Sequence, residues 1–348
     1  MARRHAKTPA DQRDEPTSGE STLAQPAVLA LEEPTELTSW PGDSGALQRS
    51  RVGILRSGRL VAYAAECWVV KEDKAMSNVA EEVGAVIALW RYPVKSMMGE
   101  QLNAAEVAEQ GVLGDRPYAL VDAETGKVVS AKEPRKWAKL FELRASFVEP
   151  PLSGERLPHV RITFPDGRSM TTADSGLDEA LSNAVGRRVA FATAAPDKPS
   201  LEEYWPDIEG LTYRETVTDE AMPEGTFFDL GPVHVLTTAT LDRLRELHPQ
   251  GRYEVRRFRP NIVVGSAGLA GFVENDWVGR TLAIGKEVRL RVTGPCPRCV
   301  MTTLPQDDLP KDPGILRAAA QHNEANVGVY ASVEQDGAIR RGDSVKLL

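Results

Sequence analysis

The chain has 348 residues, of which 41% are hydrophobic, and a formal net charge of −8. This length allows two domains, and this hydrophobic fraction allows a sizeable core. The acidic balance argues against a nucleic-acid or membrane-surface partner, because both attract basic surfaces. The three cysteines are too few for a disulfide framework, and no segment reaches the roughly 18 apolar residues that span a bilayer. We therefore expect a cytoplasmic protein without a membrane partner.

The beginning of the chain differs in composition from the rest. Residues 1 to 50 are rich in Pro, Ser, Thr, Glu and Asp and have little apolar periodicity, which is typical of disorder. Regular patterns begin near Ala85, so residues 1–84 are predicted to be a disordered or poorly structured extension. Met76 is a candidate start codon, in which case an over-long gene prediction supplies the residues before it. The remaining chain is predicted to form two domains, 85–200 and 215–348.

Most patterns in the first half predict strands. Residues 86–91 form an apolar run, and two hairpins are predicted, one joining 118–122 to 127–131 and one joining 160–164 to 169–172. A helix is predicted over 176–185, with Ser175 able to cap its start and Gly186 its end. Residues 193–227 are rich in Pro, Asp and Glu and are predicted to be an irregular join between the two halves.

The second half alternates further strands with two helices. The strands are predicted over 233–236, 261–264, 281–284, 287–293, 328–333 and 344–348, and the helices over 240–247 and 314–321. Many short strands with few helices favour a β-rich α+β fold that contains a closed or half-closed barrel. The sequence contains no internal repeat and no glycine-rich nucleotide-binding loop.

Two of the three cysteines stand in "GPCPRCVMTT", residues 294–303. A structural zinc site needs two further ligands, but Cys67 lies in the doubtful N-terminal part and His322 has no partner nearby. A thioredoxin-like pair should open a helix, whereas Thr-Thr-Leu-Pro follows here. Buried, inert cysteines are a third alternative. We favour one thiolate as a soft ligand of a redox metal, with Arg298 stabilising its ionised form.

A single thiolate is a weak anchor for a metal, so an organic cofactor held elsewhere by the chain is expected to carry it. Polar and cationic residues of the required type stand at predicted strand ends, in "RYPVKSMMG", "GDRPYALV" and "RRFRPNIVV". Arg forks and Lys charges commonly fix phosphate. Ordinary surface salt bridges are the alternative, but the shared position at strand ends favours an anion site. The candidates are Lys95, Ser96, Arg116, Arg257, Arg259 and Asn261.

These motifs together resemble the MOSC family, named for the C-terminal domain of molybdenum cofactor sulfurase. The order "RYPVKS", "GDRPYALVDAETGKVVSAKEPRKWAKL", "RFRPNIVV", "CPRCVMTT" and "GVYASV…GDSVKLL" is similar to the two-part members, a group that includes the mitochondrial amidoxime-reducing component. The resemblance runs from about Ala85 to Leu348. It implies a MOSC β-barrel domain packed with an N-terminal MOSC β-barrel-like domain.

The resemblance also implies a site. Cys299 would be the catalytic molybdenum ligand, and Cys296 a structural neighbour. The molybdenum cofactor, a molybdopterin, would contact Lys95, Ser96, Arg116, Arg259, Asn261 and Tyr330. Asp229 would position cofactor or substrate, and the cation pattern adds Arg257 to this cofactor-binding set.

The implied activity is the reduction of small N-hydroxylated or N-oxygenated molecules by oxygen-atom transfer at the molybdenum. Some bacterial members carry an appended ferredoxin-like domain, but the cysteines for an iron–sulfur cluster are missing here. We therefore expect a separate electron donor of reductase, ferredoxin or cytochrome type. No pyridoxal phosphate site is evident. The alternatives are a sulfur-handling protein of cofactor biosynthesis, with a persulfide on Cys299, or a plain binding module.

Overall fold

A computed structural model describes residues 80–266 and 268–348 of the chain. Its β-strands are β1 Glu81–Arg91, β2 Glu100–Leu102, β3 Ala104–Ala108, β4 Gly111–Val112, β5 Ala119–Asp122, β6 Arg144–Phe147, β7 Val160–Thr163, β8 Ser169–Thr171, β9 Val189–Ala192, β10 Ser200–Trp205, β11 Thr216–Ala221, β12 Val233–Thr237, β13 Ile262–Ser266, β14 Thr281–Ile284, β15 Val288–Pro297, β16 Asn326–Gln335, β17 Gly337–Arg340 and β18 Ser344–Leu347. Its α-helices are α1 Pro134–Trp137, α2 Leu177–Val185, α3 Thr238–Leu247, α4 Val255–Phe258 and α5 Gly314–Asn323, and three 3₁₀ helices cover Ala138–Glu142, Val273–Trp277 and Val300–Thr303.

A closed β-barrel forms one part of the fold. Its strands follow the order β13-β12-β16-β15-β14-β18-β1, and β1 pairs back to β13, so seven strands close the sheet. Every neighbouring pair is antiparallel except β12 and β13, which are parallel and are joined through the crossover that contains α3 and α4. Alternating apolar side chains such as Leu89, Val235 and Leu290 fill the interior. The predicted β-rich α+β class and the predicted barrel are therefore confirmed.

The first strand ties the two halves of the chain together. β1 pairs with β13 along one edge and with β18 along the other, although β1 stands at the beginning of the described chain. In the same way, β17 pairs with β3. The proposed bounds 85–200 and 215–348 remain a prediction, but the barrel itself takes strands from both sides of that division.

A second core lies among the smaller sheets β5–β9 and β6–β7–β8. Leu120, Trp137 and Ile162 are buried there together with Met301. Met301 belongs to the 3₁₀ helix that directly follows Cys299, and the half-buried Cys299 side chain packs against this core. The end of barrel strand β15 therefore delivers Cys299 to the junction between the two cores.

Several predicted elements are confirmed. β1 covers the apolar run, β7 and β8 form the hairpin around Pro165-Asp166-Gly167, and α2 ends at Gly186 in the left-handed conformation. In the second half, each predicted strand and helix is present with bounds shifted by a few residues. β15 is longer than predicted and includes Cys296, because the strand bulges past Gly294 and Pro295 and keeps pairing with β16.

Two local predictions are wrong, and a third is confirmed in part. The hairpin of 118–122 and 127–131 is present as a short pairing, in which Val121 and Val128 form a β-bridge and the N–H groups of Asp122 and Val129 donate to the carbonyls of Lys127 and Leu120, while β5 also pairs with β9. Ser175 does not cap α2, since Gly176 occupies the N-cap position in a left-handed conformation. Residues 193–227 are not irregular throughout, because β10 and β11 form a six-pair antiparallel hairpin within them.

The predicted extension 1–84 lies almost entirely outside the described residues, as do Met76 and Cys67. Within the described chain, β1 begins at Glu81, inside the last residues of that predicted extension. None of the described helices is both long enough and apolar enough to cross a membrane.

Candidate functional site

A cavity of about 270 Å³ opens where the end of β15 meets the second core and the hairpin of β10 and β11. Its volume is close to the lower end of the range for small-molecule pockets, roughly 300–1,000 Å³. The fold brings to this cavity every candidate residue from the sequence except Arg257. Those that line it are Lys95, Ser96, Arg116, Asp229, Arg259, Asn261, Cys299 and Tyr330.

Three of these residues have an unusual backbone conformation. Ser96, Arg116 and Arg259 have φ angles of 62°, 53° and 53°. A left-handed backbone is unfavourable for residues other than glycine and persists only where surrounding contacts hold it, a situation that is concentrated at binding and catalytic sites. Arg259 adopts it as the residue that ends α4, so the end of this short helix aims the side chain.

Two guanidinium groups contact the ring of Tyr92. Arg259 lies 4.1 Å and Arg116 lies 4.9 Å from the ring centroid, so both cations interact with the π face of this ring. Arg259 donates one hydrogen bond from Nη1 to the carbonyl of Met97 at 2.7 Å. Its Nη2 atom is buried and has no hydrogen-bond partner within the described chain. An unused donor on a buried cation is what an anionic ligand needs.

Burial and the Arg116 guanidinium lower the pKa of Arg259 to about 10, so Arg259 still carries its charge at neutral pH. Asp115 forms an ion pair with Arg116 and also accepts a hydrogen bond from the backbone N–H of Tyr92 at 2.7 Å. This fixed carboxylate holds the Arg116 side chain beside the Tyr92 ring. The positive charge on this side of the cavity is therefore preorganised by the fold.

Two lysines and two acids form a second charged group in the wall. Lys95 donates to Asp229 at 2.8 Å and to the carbonyl of Phe227 at 2.8 Å, and Lys132 donates to Glu203 at 2.9 Å. Burial opposes charge on Asp229, but Lys132 and Lys95 outweigh it and hold the pKa of Asp229 well below its usual range. Asp229 is thus an ionised acceptor that orients Lys95, rather than a proton donor.

Cys299 is half-buried and its side chain lines the cavity. Burial, reinforced by Glu203, raises the pKa of the Cys299 thiol to about 11, despite the opposing charges of Lys132 and Arg298. Arg298 therefore favours the thiolate as expected, but its charge does not offset burial, and the free thiol stays protonated at neutral pH. A metal that binds this sulfur must displace its proton.

Cys296 has a different environment from Cys299. Its side chain is fully buried, and Arg298 donates from Nη1 to the Cys296 sulfur at 2.8 Å and from Nη2 to the carbonyl of Phe258 at 2.8 Å. The Nη1 and Nη2 atoms of Arg298 are thereby bonded to Cys296 and to the end of α4, while its Nε atom is buried without a partner among the described residues. The three-residue spacing places one sulfur inside the protein and the other in the cavity wall.

Asn261 and His234 lie in the cavity wall but use their polar atoms within the fold. The Asn261 side chain accepts from the backbone N–H of His234 at 3.0 Å and donates to the carbonyl of Trp90 at 3.4 Å, which joins three barrel strands. His234 donates from Nε2 to the carbonyl of Val327 at 3.0 Å. Gly328 has a φ angle of 84°, and a Cβ atom there would collide with the His234 ring, so a glycine is required.

Arg257 is not part of the cavity, which corrects its prediction as a cofactor ligand. Its side chain is fully buried and donates to the carbonyls of Arg252, Thr302, Leu304 and Pro310 at 2.8–3.1 Å. Every one of these acceptors is a backbone carbonyl, so the residue holds the segment after Cys299 in place. Adjacent arginines in "RRFR" face different directions because α4 makes a single turn.

The lining residues that the sequence analysis missed include Lys132, Glu203, Trp205 and Glu220. The last three come from β10 and β11, in the segment predicted to be irregular. Alternation in "SLEEYW" was the available signal, since Leu201, Glu203 and Trp205 share one face of β10. The density of Pro, Asp and Glu on either side obscured that period of two.

The fold and the cavity define a β-barrel protein with a preorganised cationic pocket that contains one accessible thiol. The MOSC domain model matches residues 224–346, and the MOSC N-terminal beta barrel domain model matches residues 83–171. The two matches together cover more than half of the chain. The chain therefore belongs to the MOSC domain family, in the two-part form that carries both domains.

Curated relatives match over most of the chain. Mitochondrial amidoxime reducing component 2 of Macaca fascicularis is 29% identical over 305 residues, which covers 76% of this chain and 84% of the relative. Mitochondrial amidoxime-reducing component 1 of Homo sapiens is 25% identical over 360 residues, covering 95% and 98%. Molybdenum cofactor sulfurase of Bos taurus is 24% identical over 268 residues, which covers 70% of this chain but 29% of the relative.

Proposed function

We propose that this protein binds the molybdenum cofactor and uses it to reduce small N-hydroxylated molecules. The observation that carries the proposal is the cavity in which an accessible thiol, Cys299, stands beside buried cations. The two amidoxime-reducing relatives support the reaction class, and the molybdenum cofactor sulfurase supports the cofactor.

The residues present fit an anionic, metal-bearing cofactor. The buried, unpartnered Nη2 of Arg259 provides a donor for a phosphate oxygen, and Arg116 adds a second positive charge next to it. Cys299 provides a soft sulfur ligand, which suits a redox metal. Lys95 and Asp229 complete the wall between these two features.

When bound, the cofactor supplies a metal that accepts an oxygen atom and alternates between two oxidation states. The chain performs the remaining tasks. Arg259 and Arg116 hold the anionic end, and Asp229 fixes the position of Lys95. Cys299 loses its thiol proton when it becomes a ligand, and Glu203 and Lys132 lie close enough to affect that ionisation.

The overall reaction consumes two electrons and two protons for each N–O bond reduced, and releases the N–H product and water. We propose that a separate redox protein of reductase, ferredoxin or cytochrome type supplies the electrons. Such a donor would approach the cavity from the surface, and the hairpin of β10 and β11 forms part of the cavity wall.

The test is metal analysis and turnover on one sample of protein made in a host that synthesises the cofactor. We expect about one molybdenum and one pterin per chain, together with reduction of benzamidoxime by a chemical electron donor. Molybdenum below about a tenth of that ratio, with pterin also absent, would falsify the cofactor assignment. A persulfide on Cys299 without turnover would instead support the sulfur-handling alternative.

A further inference from the structure

The cavity has a second, chemically different set of lining residues on the hairpin of β10 and β11. The residues that β10 and β11 contribute there include Glu203, Trp205 and Glu220. The barrel and its loops contribute cations that suit an anion, whereas this hairpin side contributes carboxylates and an indole. The two sides of the cavity are therefore suited to ligands of opposite charge.

Glu220 is the one acid of the two hairpin strands that has no cationic partner among the described residues. Glu202, Glu203 and Asp219 each form a salt bridge with a lysine. Glu220 instead accepts one hydrogen bond, from the Thr218 hydroxyl to Oε1 at 2.6 Å, which leaves Oε2 available. A half-buried carboxylate at the edge of a cavity with a free oxygen is well placed to accept from a cationic ligand.

Trp205 is held rigidly beside this carboxylate. Its Nε1 donates to the Thr218 hydroxyl at 2.8 Å, and the same hydroxyl donates to Glu220, so one short chain of hydrogen bonds fixes both side chains. Tyr213 packs edge-on against the indole at a centroid distance of 5.3 Å and an interplanar angle of 69°. A fixed indole and a fixed carboxylate together suit a planar, delocalised cation, which stacks on the ring and donates from its edge.

We infer that Trp205 and Glu220 form a binding subsite for an organic cation of the amidinium or guanidinium type. The inference rests on the proposed function for its catalytic meaning, because amidines and guanidines are the reduction products of their N-hydroxylated forms. N-hydroxyguanidines are basic enough to carry part of this charge near neutral pH, whereas N-hydroxyamidines are much weaker bases and are mostly neutral. Among N-hydroxylated molecules, the subsite therefore favours N-hydroxyguanidines, and it also binds the amidinium and guanidinium products. Uncharged N-hydroxy amides of equal size lack the positive charge that Glu220 recognises.

Binding of benzamidinium to the molybdenum-loaded protein, measured by calorimetry, tests the subsite directly, with uncharged benzamide as the matched ligand. We expect benzamidinium to bind about tenfold more tightly, which is the order of one charge-assisted hydrogen bond. Glu220→Gln should remove this preference, and Trp205→Leu should weaken benzamidinium by about threefold through the lost stacking. Trp205→Phe keeps an aromatic face and should retain most of the affinity.

Glu224→Gln is the control variant, because Glu224 is an exposed acid just after β11 and does not line the cavity. Equal binding of benzamidinium and benzamide overturns the inference, as does an equal effect of Glu220→Gln and Glu224→Gln. A second experiment measures kcat/KM for N-hydroxybenzamide and for an N-hydroxyguanidine. Glu220→Gln should lower kcat/KM for the N-hydroxyguanidine and leave the value for N-hydroxybenzamide unchanged.

The two proposals fail in different ways. Turnover of both substrates without any effect of Glu220→Gln leaves the oxidoreductase standing and removes the subsite. Absence of turnover together with Glu220-dependent benzamidinium binding removes the proposed reaction and leaves the subsite.

Discussion

The barrel side and the hairpin side of the cavity come from segments whose sequences differ in how clearly they indicate a site. On the barrel side, Arg116, Arg259 and Cys299 lie near the ends of regular elements. Each stands in a recognisable sequence motif, so it could be predicted from the sequence. On the hairpin side, Trp205 and Glu220 stand in two short strands whose acidic composition hides them. The barrel side is suited to bind a cofactor, and the hairpin side is suited to determine which substrate binds next to it. Variants that affect one side and spare the other test this division.

The largest effect is expected at Cys299. Cys299→Ser replaces a soft sulfur by a hard hydroxyl, which is a poor molybdenum ligand. Loss of groups outside the coordination sphere already costs roughly 10- to 100-fold, so turnover should fall by more than about a hundredfold. Benzamidoxime reduction per bound pterin measures this. Pterin should be partly retained, because the cations on the barrel side remain.

Cys296→Ser is the matched control for that variant. The Cys296 sulfur is buried and accepts from Arg298, and a serine hydroxyl can accept the same N–H. We expect activity per molybdenum to persist and the free energy of unfolding to fall by about 1–3 kcal/mol. If both serine variants lose activity equally at equal metal content, the two sulfurs act as a pair and the division between them is wrong.

Arg259 should control cofactor retention. Arg259→Lys keeps the positive charge but removes the fork that carries the unpartnered Nη2 atom. Loss of one charge-assisted hydrogen bond corresponds to roughly tenfold weaker binding. Molybdenum and pterin per chain after gel filtration provide the measurement. Trp205→Leu on the hairpin side should leave both contents unchanged, and an equal loss in that variant would contradict the division.

Much of the barrel side could be predicted from the sequence, and the reasons are physical. Strand patterns place Lys95 shortly after barrel strand β1 and Arg116 shortly before β5, and both side chains line the cavity. The direction of a side chain cannot be read in the same way. Arg257 and Arg259 are two residues apart, yet one clamps four backbone carbonyls and the other lines the cavity.

The hairpin side could not be predicted because its position depends on contacts that are distant in sequence. Glu203 accepts a hydrogen bond in the cavity wall from Lys132, which is 71 residues earlier in the chain. The pKa of Cys299 depends on the same distant neighbours and on burial, so reasoning from the adjacent Arg298 alone gave the wrong ionisation state. The local sequence motif identified Cys299, but the tertiary fold determines whether its thiol is protonated.

Arg257 should affect stability and not the chemistry. Arg257→Met leaves the carbonyls of Thr302, Leu304 and Pro310 without a donor in a buried environment. Each unsatisfied group costs about 1–3 kcal/mol, so the free energy of unfolding should fall by about 3 kcal/mol or more. Chemical denaturation measures the loss. Activity per molybdenum-loaded, folded molecule should remain unchanged. A selective loss of activity would mean that Arg257 contributes to cofactor binding after all.

The last expected effect is a dependence of stability on pH, and it arises from His234 on the barrel side. Burial and the Arg298 charge lower the pKa of His234 to about 3, so the folded protein keeps this ring neutral. In the unfolded chain the ring titrates near its ordinary value of about 6.5. Below that pH the unfolded state binds one more proton than the folded state, and stability therefore falls as the pH falls.

Between about pH 8 and pH 5, this difference in proton binding amounts to about 2 kcal/mol of unfolding free energy. Urea denaturation at a series of pH values measures it, and pH 5 is still above the ordinary range of carboxylates. His234→Gln keeps a side-chain donor that can bond to the carbonyl of Val327 but cannot be protonated. The variant should show a flatter profile by about that amount. Identical profiles would mean that His234 is solvated, and that the wall between the barrel and the cavity is open to water.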